Sequence, residues 1–244
     1  MTRADPARLA RSALLLGLAV LIAKLFATGQ MALYMSPALD PLTALAAVVL
    51  ASMGVLEAWV GLRGARAGHT EPAGVDQTLT YLLVLVPLLL GLFVAPRALG
   101  SSALGGENVS SLVLSFARQA SPTAAGLTTQ PIDDVADLLA FLRRAGEAGV
   151  GQHVHALGLV ARSNDLEPNE FVLLRYSIAH CVADARPIAL LVVAPGAAAW
   201  RTDTWVEIDG RLGSRERAGD RLVSILADRI VPTEEPSNPY LQAI

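Results

Sequence analysis

The residues best suited to chemistry lie together in one stretch, Phe171–Pro187. His180 and Cys181 are adjacent there, Asp184 follows three residues after the cysteine, and Arg175 interrupts the apolar run before them. Imidazole, thiolate and carboxylate groups are all ligands that zinc accepts in proteins. A cysteine beside a histidine also invites a thiol–imidazole nucleophile. The stretch therefore raises two hypotheses, a metal site and a catalytic thiol.

Strand geometry argues against both hypotheses. If 171–181 is a β-strand, His180 and Cys181 point to opposite faces, so they cannot share an ion without a bulge. No loop with oxyanion donors is evident, and we expect no enzyme activity. The favoured interpretation is structural: Cys181 fills the core as a small hydrophobic side chain, while His180 and Asp184 hydrogen-bond the turn before Pro187.

A second pair of histidines keeps a metal hypothesis open. His153 and His155 lie two residues apart and share one face of a predicted strand. If a hairpin turn at 164–169 joins that strand to the next, the pair lies roughly opposite His180. A cluster of these histidines with Asp184 would then hold a transition metal such as zinc. No other cofactor is evident in the sequence.

Arg175 is a charge within an otherwise apolar strand. It either faces a groove, where it would meet an anionic ligand, or lies on the solvent side of an alternating strand. Because strands that cover a core alternate between apolar and polar residues, the solvent side is the favoured interpretation.

The composition indicates a membrane protein with a soluble part. Hydrophobic residues make up 53% of the 244 residues and charged residues 17%, whereas roughly a quarter of the residues of a soluble domain are charged. The apolar excess lies almost entirely before residue 96. The net charge of −3 argues against a nucleic-acid partner, and a single cysteine excludes an internal disulfide framework.

Three apolar runs, over residues 13–35, 42–62 and 79–95, predict three transmembrane helices. Lys24 lies in the first and Glu57 in the second. A charge at the bilayer centre costs about 2.5–3.5 kcal/mol, so a polar partner is the usual context. We expect Lys24 to pair with Glu57 or to extend its stem to the membrane surface. The alternative is that Lys24 faces a partner protein or a substrate path.

The distribution of positive residues predicts the orientation of these helices. Three arginines precede the first span, Arg63 and Arg66 lie between the second and third, and the loop between the first two has no positive residue. Positive loops stay on the cytoplasmic side. We therefore predict a multi-pass protein of the inner (cytoplasmic) membrane with a cytoplasmic N-terminus. Three spans place everything after the third on the extracytoplasmic side.

The soluble part predicts an all-β domain. Residues 1–98 form the transmembrane domain, residues 99–131 form a Gly- and Ser-rich linker, and residues 132–244 form the soluble domain. A helix at 132–144 leads into five short strand-like segments, at 153–163, 171–181, 187–194, 204–212 and 221–231, with a bulge or bend at Gly158. Five strands after one helix suggest a small OB-like barrel. The predicted fold class is therefore membrane α plus all-β.

Four segments resemble the YcgQ-type family of permease subunits. They are LFATGQMALYM, FVLLRYSIAHCVADA, WVEIDG and DRIVPTEEPSNPYL, and the order of spans, linker and barrel is similar too. The positions that carry this resemblance are Arg175, His180, Cys181, Asp184, Trp205, Gly210, Pro239 and Tyr240.

The resemblance implies an accessory subunit of a larger multi-span permease whose substrate is unsettled. Family members often carry a His-rich loop between spans two and three, which points to transition-metal transport. In this chain the loop keeps only His69. The alternative is a membrane-anchored extracytoplasmic module that binds a metal or small ligand without a permease. We expect the lipid bilayer and a multi-span permease as partners.

Overall fold

The structure, a computed structural model, describes residues 6–63, 75–104, 113, 150–217 and 219–242. The chain divides into two compact units, Met1–Arg97 and Ala98–Ile244. The predicted helix at 132–144, most of the predicted linker and His69 lie outside the described residues. Each unit is considered by itself below.

The described part of the first unit contains three α-helices, α1 (Pro6–Ala27), α2 (Asp40–Leu62) and α3 (Val75–Phe93). Helices α1 and α2 are long and apolar enough to cross a membrane, which is consistent with membrane association. The apolar part of α3, Leu79–Phe93, is shorter than the roughly 20 residues of a full crossing. Pro87 lies inside α3 without ending it.

Helix α1 is displaced from the predicted span at 13–35. It begins at Pro6 and ends at Ala27, and a short 3-10 helix follows at Gln30–Leu33. The cause is Gly29, whose φ of 69° belongs to the left-handed region that terminates helices. An apolar run that continues past such a glycine is therefore not one continuous helix.

Glycines allow the helices to pack closely. Ser12 Oγ donates a hydrogen bond to the Gly54 carbonyl oxygen at 2.8 Å, and a Cβ on Gly54 would lie 2.8 Å from Leu16 Cγ. A Cβ on Gly91 would lie 3.1 Å from a Leu21 methyl carbon. The contacts show α2 running antiparallel to α1 and α3 running parallel to it, with small residues at the closest approaches.

Among its described residues, the second unit contains six strands in one mixed sheet. They are β1 (His153–Ala161), β2 (Glu170–Ile178), β3 (Arg186–Val193), β4 (Trp205–Arg217), β5 (Asp220–Pro232) and β6 (Tyr240–Gln242). The order is β1-β4-β5-β3-β2-β6, and β1 also pairs with β2, so the pairings of β1 to β5 close into a ring. The β3–β5 and β2–β6 pairs are parallel and the others antiparallel. The sixth strand, β6, was not predicted.

Two apolar clusters cover opposite faces of the central strands. Phe171 and Leu173 of β2 belong to one cluster, and Val172 and Leu174 to the other. Both faces of β2 are therefore buried, which gives the near-continuous apolar run that such strands show. Leu104, in the segment predicted as a linker, is buried in the second cluster. The beginning of that segment is therefore packed against the sheet.

Of the bulge or bend predicted at Gly158, the bulge is wrong, because Gly158 pairs in regular register with Val206. The glycine is needed there for a close approach: an added Cβ would lie 2.8 Å from Leu173 Cγ. The register shift falls between Asp209 and Gly210 of β4 instead. The bulge therefore belongs to the long β4–β5 hairpin rather than to β1.

Candidate functional site

The His180–Cys181–Asp184 cluster lies in a tight turn, not on a strand. Strand β2 ends at Ile178, and the Asp184 carboxylate accepts three backbone N–H groups. Oδ1 accepts from Ala179 at 2.9 Å, and Oδ2 accepts from His180 at 2.9 Å and from Cys181 at 3.2 Å. The prediction that 171–181 is a single strand is therefore wrong at its end, because a side chain captures the backbone donors of the last residues.

The hydrogen bonds of this turn lower the pKa of Asp184. The backbone N–H of Ala179 contributes most, and partial desolvation opposes it. His180 Nδ1 lies 3.2 Å from Oδ2, but its side chain is 76% exposed. The Cys181 thiol is free and half-buried, and its side chain completes a reciprocal cap with Asp184. Cys181 therefore holds the turn, whereas a core position was predicted.

The two histidines of β1 lie elsewhere in the sheet. His153 pairs with Arg211 and His155 with Asp209 across to β4, while β1 meets β2 only from Leu159 to Ala161. The histidine pair is therefore not opposite His180, because the half of β1 that carries it pairs with β4. Among the described residues, no three His, Cys, Asp or Glu side chains form a group that could hold a metal ion.

His155 and Asp209 form a hydrogen-bonded pair at the surface of the sheet. His155 Nδ1 lies 2.8 Å from Asp209 Oδ1, and Arg229 lies 3.7 Å from the other carboxylate oxygen. The hydrogen bond from His155 is the main cause that lowers the pKa of Asp209. Both side chains are about one-third exposed, at 37% and 34%. The pair links β1 to β4 beside the register shift.

Arg175 is buried, with 5% of its surface exposed, so the predicted solvent-facing position is wrong. Its NH1 donates to the Leu157 carbonyl oxygen at 3.2 Å, and its guanidinium lies 5.2 Å from the Trp205 ring centre. The β1–β2 ladder stops at Leu174, and β6 takes over the same strand from Tyr176. Arg175 lies between the two ladders, and its guanidinium, rather than a backbone N–H, donates to the Leu157 carbonyl oxygen.

Two tyrosine hydroxyls tie the start of the second unit to the sheet. The Tyr240 hydroxyl accepts the Leu99 N–H at 3.1 Å, and the Tyr176 hydroxyl donates to the Gly100 carbonyl oxygen at 2.9 Å. Burial is the main cause that raises the pKa of Tyr176 to about 12. Tyr240, one of the positions carrying the family resemblance, thus has a structural contact.

Sequence reasoning missed an ion cluster around Glu170. This side chain is 3% exposed, and Arg217 NH2 lies 3.0 Å from its Oε2 while Arg215 Nε lies 3.6 Å from its Oε1. The backbone N–H of Glu167 also donates to Glu170 at 3.2 Å. The sequence pattern that could have indicated this cluster is an acid, Glu170, directly before the apolar run of β2, together with Arg215 and Arg217 two residues apart.

A cavity lies beside residues 162–168, which connect β1 to β2, and the sequence did not predict it. Its volume is about 330 Å³, and the guanidinium of Arg162 is fixed by a 2.6 Å hydrogen bond from NH1 to the Ala197 carbonyl oxygen. The residues that line it are Arg162, Ser163, Asn164, Leu166, Pro168 and Ala198.

In the first unit, Lys24 and Glu57 do not meet. Lys24 Nζ donates to the carbonyl oxygens of Leu92 at 2.6 Å and Gly91 at 3.4 Å, while Glu57 lies 3.5 Å from Arg8 NH1. Because α1 and α2 are antiparallel, Glu57 lies near the start of α1 and Lys24 near its end. Lys24 instead binds terminal carbonyl groups of α3, which lack partners within their own helix.

Two family models together match most of the chain. A family model described as the DUF1980 N-terminal domain matches residues 10–110, and one described as the DUF1980 C-terminal domain matches residues 133–242. No curated protein matches the chain. The chain therefore carries both DUF1980 domains, the N-terminal one followed by the C-terminal one.

Proposed function

We propose that the protein is a YcgQ-type accessory subunit of a bacterial membrane permease. The observation that carries the proposal is the large apolar surface that α2 and α3 leave uncovered. Its exposed side chains include Leu45, Val48, Val55, Leu56 and Trp59 of α2 and Leu82, Leu83, Val86, Leu90 and Phe93 of α3. In a membrane such a surface contacts lipid or the helices of a partner.

The packing of the helices favours a partner over independent transport. Helix α1 approaches α2 through Gly54 and Gly61 and approaches α3 through Gly17 and Gly91, at distances where an added Cβ would meet a neighbouring side chain. Close packing of this kind supports a scaffold rather than a channel wall. On α2, a groove of about 590 Å³ is open on the uncovered side, and a partner helix would fill it.

We propose that α3 also spans the membrane. Its parallel contacts with α1 run from the Arg11–Tyr81 hydrogen bond at 3.3 Å to the bonds of Lys24 with Leu92. The whole helix Val75–Phe93 has 19 residues and a length of about 28 Å at 1.5 Å per residue. Its shorter apolar part, Leu79–Phe93, would cross the membrane by thinning the bilayer locally. With a cytoplasmic N-terminus, three spans place the second unit on the extracytoplasmic side of the inner membrane.

We propose an OB-like barrel for the second unit. The ring of pairings among β1 to β5 supports it, as do the non-consecutive pairs β1–β4 and β3–β5 that a Greek-key path requires. The proposal includes no catalytic step and no resident cofactor, because Cys181 and Asp184 cap one turn and His155 pairs with Asp209. A transition metal enters only as cargo of the partner permease.

Co-purification tests the proposal. The tagged full-length protein, extracted in mild detergent, should recover a multi-span membrane protein in stoichiometric amount. Val55→Trp, which enlarges the uncovered face of α2, should reduce that recovery. Val20→Trp, at a position on α1 of similar exposure, is the matched control (60% and 57% exposed). Recovery of no multi-span protein would overturn the subunit role and favour a membrane-anchored binding module.

Topology and cargo need separate measurements. An alkaline phosphatase fusion after Gln242 should be active, and a fluorescent-protein fusion that matures only in the cytoplasm should be dark. The reverse pattern would place the second unit in the cytoplasm and leave two spans.

For cargo, a deletion strain should differ from wild type in cellular transition-metal content under metal excess or starvation, and identical content would remove metal transport from the proposal.

A further inference from the structure

The cavity beside Arg162 combines one positive charge with polar and apolar walls. The six residues that line it carry one cation and no carboxylate. Arg162 is half-buried, and in the part of the chain that the structure describes its only polar contact is the Ala197 carbonyl oxygen. One N–H of the guanidinium is used in that bond, so its other donors are available to a ligand.

Three acids lie within or just after the segment that lines this cavity, Asp165, Glu167 and Glu170, and none of them is a lining residue. Glu170 pairs with Arg215 and Arg217, and the Glu167 carboxylate lies 3.8 Å from Arg215. Arg162 thus lines the cavity with no carboxylate among the other lining residues. An arginine with this freedom suits a carboxylate or phosphate group, which accepts several N–H donors at once.

The walls of the cavity are held in place before any ligand arrives. The Leu166 N–H donates to the Ser163 carbonyl oxygen at 3.3 Å, and the Ala194 N–H donates to the Asn169 carbonyl oxygen at 2.9 Å. Next to the lining residue Ala198, Ala197 is fully buried in a short 3-10 helix at Ala197–Ala199. A site ordered in advance loses little conformational entropy on binding.

We propose that this cavity binds a small organic oxyanion. The guanidinium of Arg162 is the cation, the hydroxyl of Ser163 and the amide of Asn164 are the neutral polar groups, and Leu166, Pro168 and Ala198 cover the apolar part of the ligand. A volume of about 330 Å³ lies at the lower end of the roughly 300–1,000 Å³ typical of ligand pockets. The cavity is therefore suited to a small carboxylate or phosphate ester.

Calorimetric titration of the full-length protein in detergent tests the site directly. The probes are acetate, inorganic phosphate and glycerol 3-phosphate, and we expect measurable binding of at least one of them, with glycerol 3-phosphate the tightest. Binding of no probe at millimolar concentration would overturn the site. The titration needs no partner protein, so its failure is distinct from failure of the permease-subunit proposal.

Two variants and one control separate recognition from folding. Arg162→Gln should weaken binding by about 10- to 100-fold, as expected when a charge-assisted hydrogen bond is lost. Ala198→Leu should weaken it by filling the cavity while leaving Arg162 in place, and Ala198 is exposed, so the core is untouched. Arg201→Gln removes the same charge from an exposed neighbouring position and should bind like wild type. Wild-type affinity in both of the first two variants would overturn the site.

Reconstitution distinguishes the two sources of such a ligand. Glycerol 3-phosphate is titrated into protein in phosphatidylcholine bilayers with or without phosphatidylglycerol. Loss of binding in the presence of phosphatidylglycerol would show that a lipid headgroup occupies the site, and unchanged binding would show a soluble ligand. Both outcomes support an oxyanion site. Equal binding by wild type and Arg162→Gln in both bilayers would contradict it.

Discussion

Replacing Glu170 by glutamine removes the charge from the centre of a buried ion cluster in the second unit. The carboxylate is 3% exposed and lies 3.0 Å from Arg217 and 3.6 Å from Arg215. Glutamine keeps the shape and one acceptor oxygen. The substitution therefore tests the charge of Glu170 and not the space that it fills.

The size of the effect follows from the exposure of each partner. Breaking a fully buried ion pair costs about 3–5 kcal/mol, and breaking an exposed pair about 0–1 kcal/mol. Here one partner is buried and the arginines are 21% and 36% exposed. A hydrogen bond to a charged group contributes about 1.5–3 kcal/mol. We expect Glu170→Gln to lower the free energy of unfolding by about 2 kcal/mol.

Urea unfolding of the full-length protein in detergent measures this loss. Trp200 and Trp205 report on the second unit when Trp59 of α2 is replaced by phenylalanine. With a slope of about 1–3 kcal/mol per molar urea, the midpoint should fall by about 1 M. Glu167→Gln is the matched control, because its carboxylate lies 3.8 Å from Arg215 but is 58% exposed. That variant should change the free energy of unfolding by less than about 0.5 kcal/mol.

A double-mutant cycle with Arg217→Gln assigns the loss to the pair. If the charge pair causes it, the double variant should be more stable than the sum of the single losses predicts. A midpoint for Glu170→Gln no lower than that for Glu167→Gln would refute the reasoning. The cluster would then contribute no more than a surface ion pair.

Two further predictions concern the turn at Asp184 and the glycines of β4. Because the folded pKa of Asp184 is lowered, its hydrogen bonds stabilise the turn above the ordinary value of 3.8 and are lost as pH falls through the folded pKa. The amide proton of Ala179 should therefore shift upfield in an NMR titration below that value, and Asp184→Asn should abolish the shift. Gly210→Ala forces a Cβ onto the Leu226 carbonyl oxygen and should cost about 1–3 kcal/mol in the urea assay. Gly213→Ala meets only the flexible Leu226 side chain, so a loss equal to that of Gly210→Ala would contradict this account.

The pattern of apolar residues along the chain predicted where the strands lie but not where they end. The alternating and apolar runs locate β1 to β5 within a few residues, because burial of side chains decides those positions. The end of β2 depends on Asp184, which captures backbone donors three to five residues before it. Competition of this kind between side chain and ladder is not visible in the alternation of apolar residues.

The contacts of the charged residues depend on pairings between distant segments. Strand alternation predicts a solvent-facing position for Arg175, because one side of a strand is usually polar. In the structure β2 is buried on both faces. Charge alone allows Lys24 to pair with Glu57 or to extend its stem to the membrane surface, but the antiparallel packing of α1 and α2 separates Lys24 from Glu57. The Arg162 cavity arises where residues 162–168 meet Ala198, about 30 residues later, and composition carries no sign of that approach.

Strand β6 covers the edge of β2 over its last residues. Tyr240, Leu241 and Gln242 pair with the last residues of β2, on the side that β1 has already left. Without them, β2 would present a row of free N–H and C=O groups next to an apolar surface, which is a template for a strand from another molecule. The side chains of Tyr240 and Leu241 also fill one apolar cluster each. An affinity tag should therefore be placed after Gln242 and joined by a flexible spacer, so that β6 keeps its pairing with β2. Removal of β6 would favour aggregation.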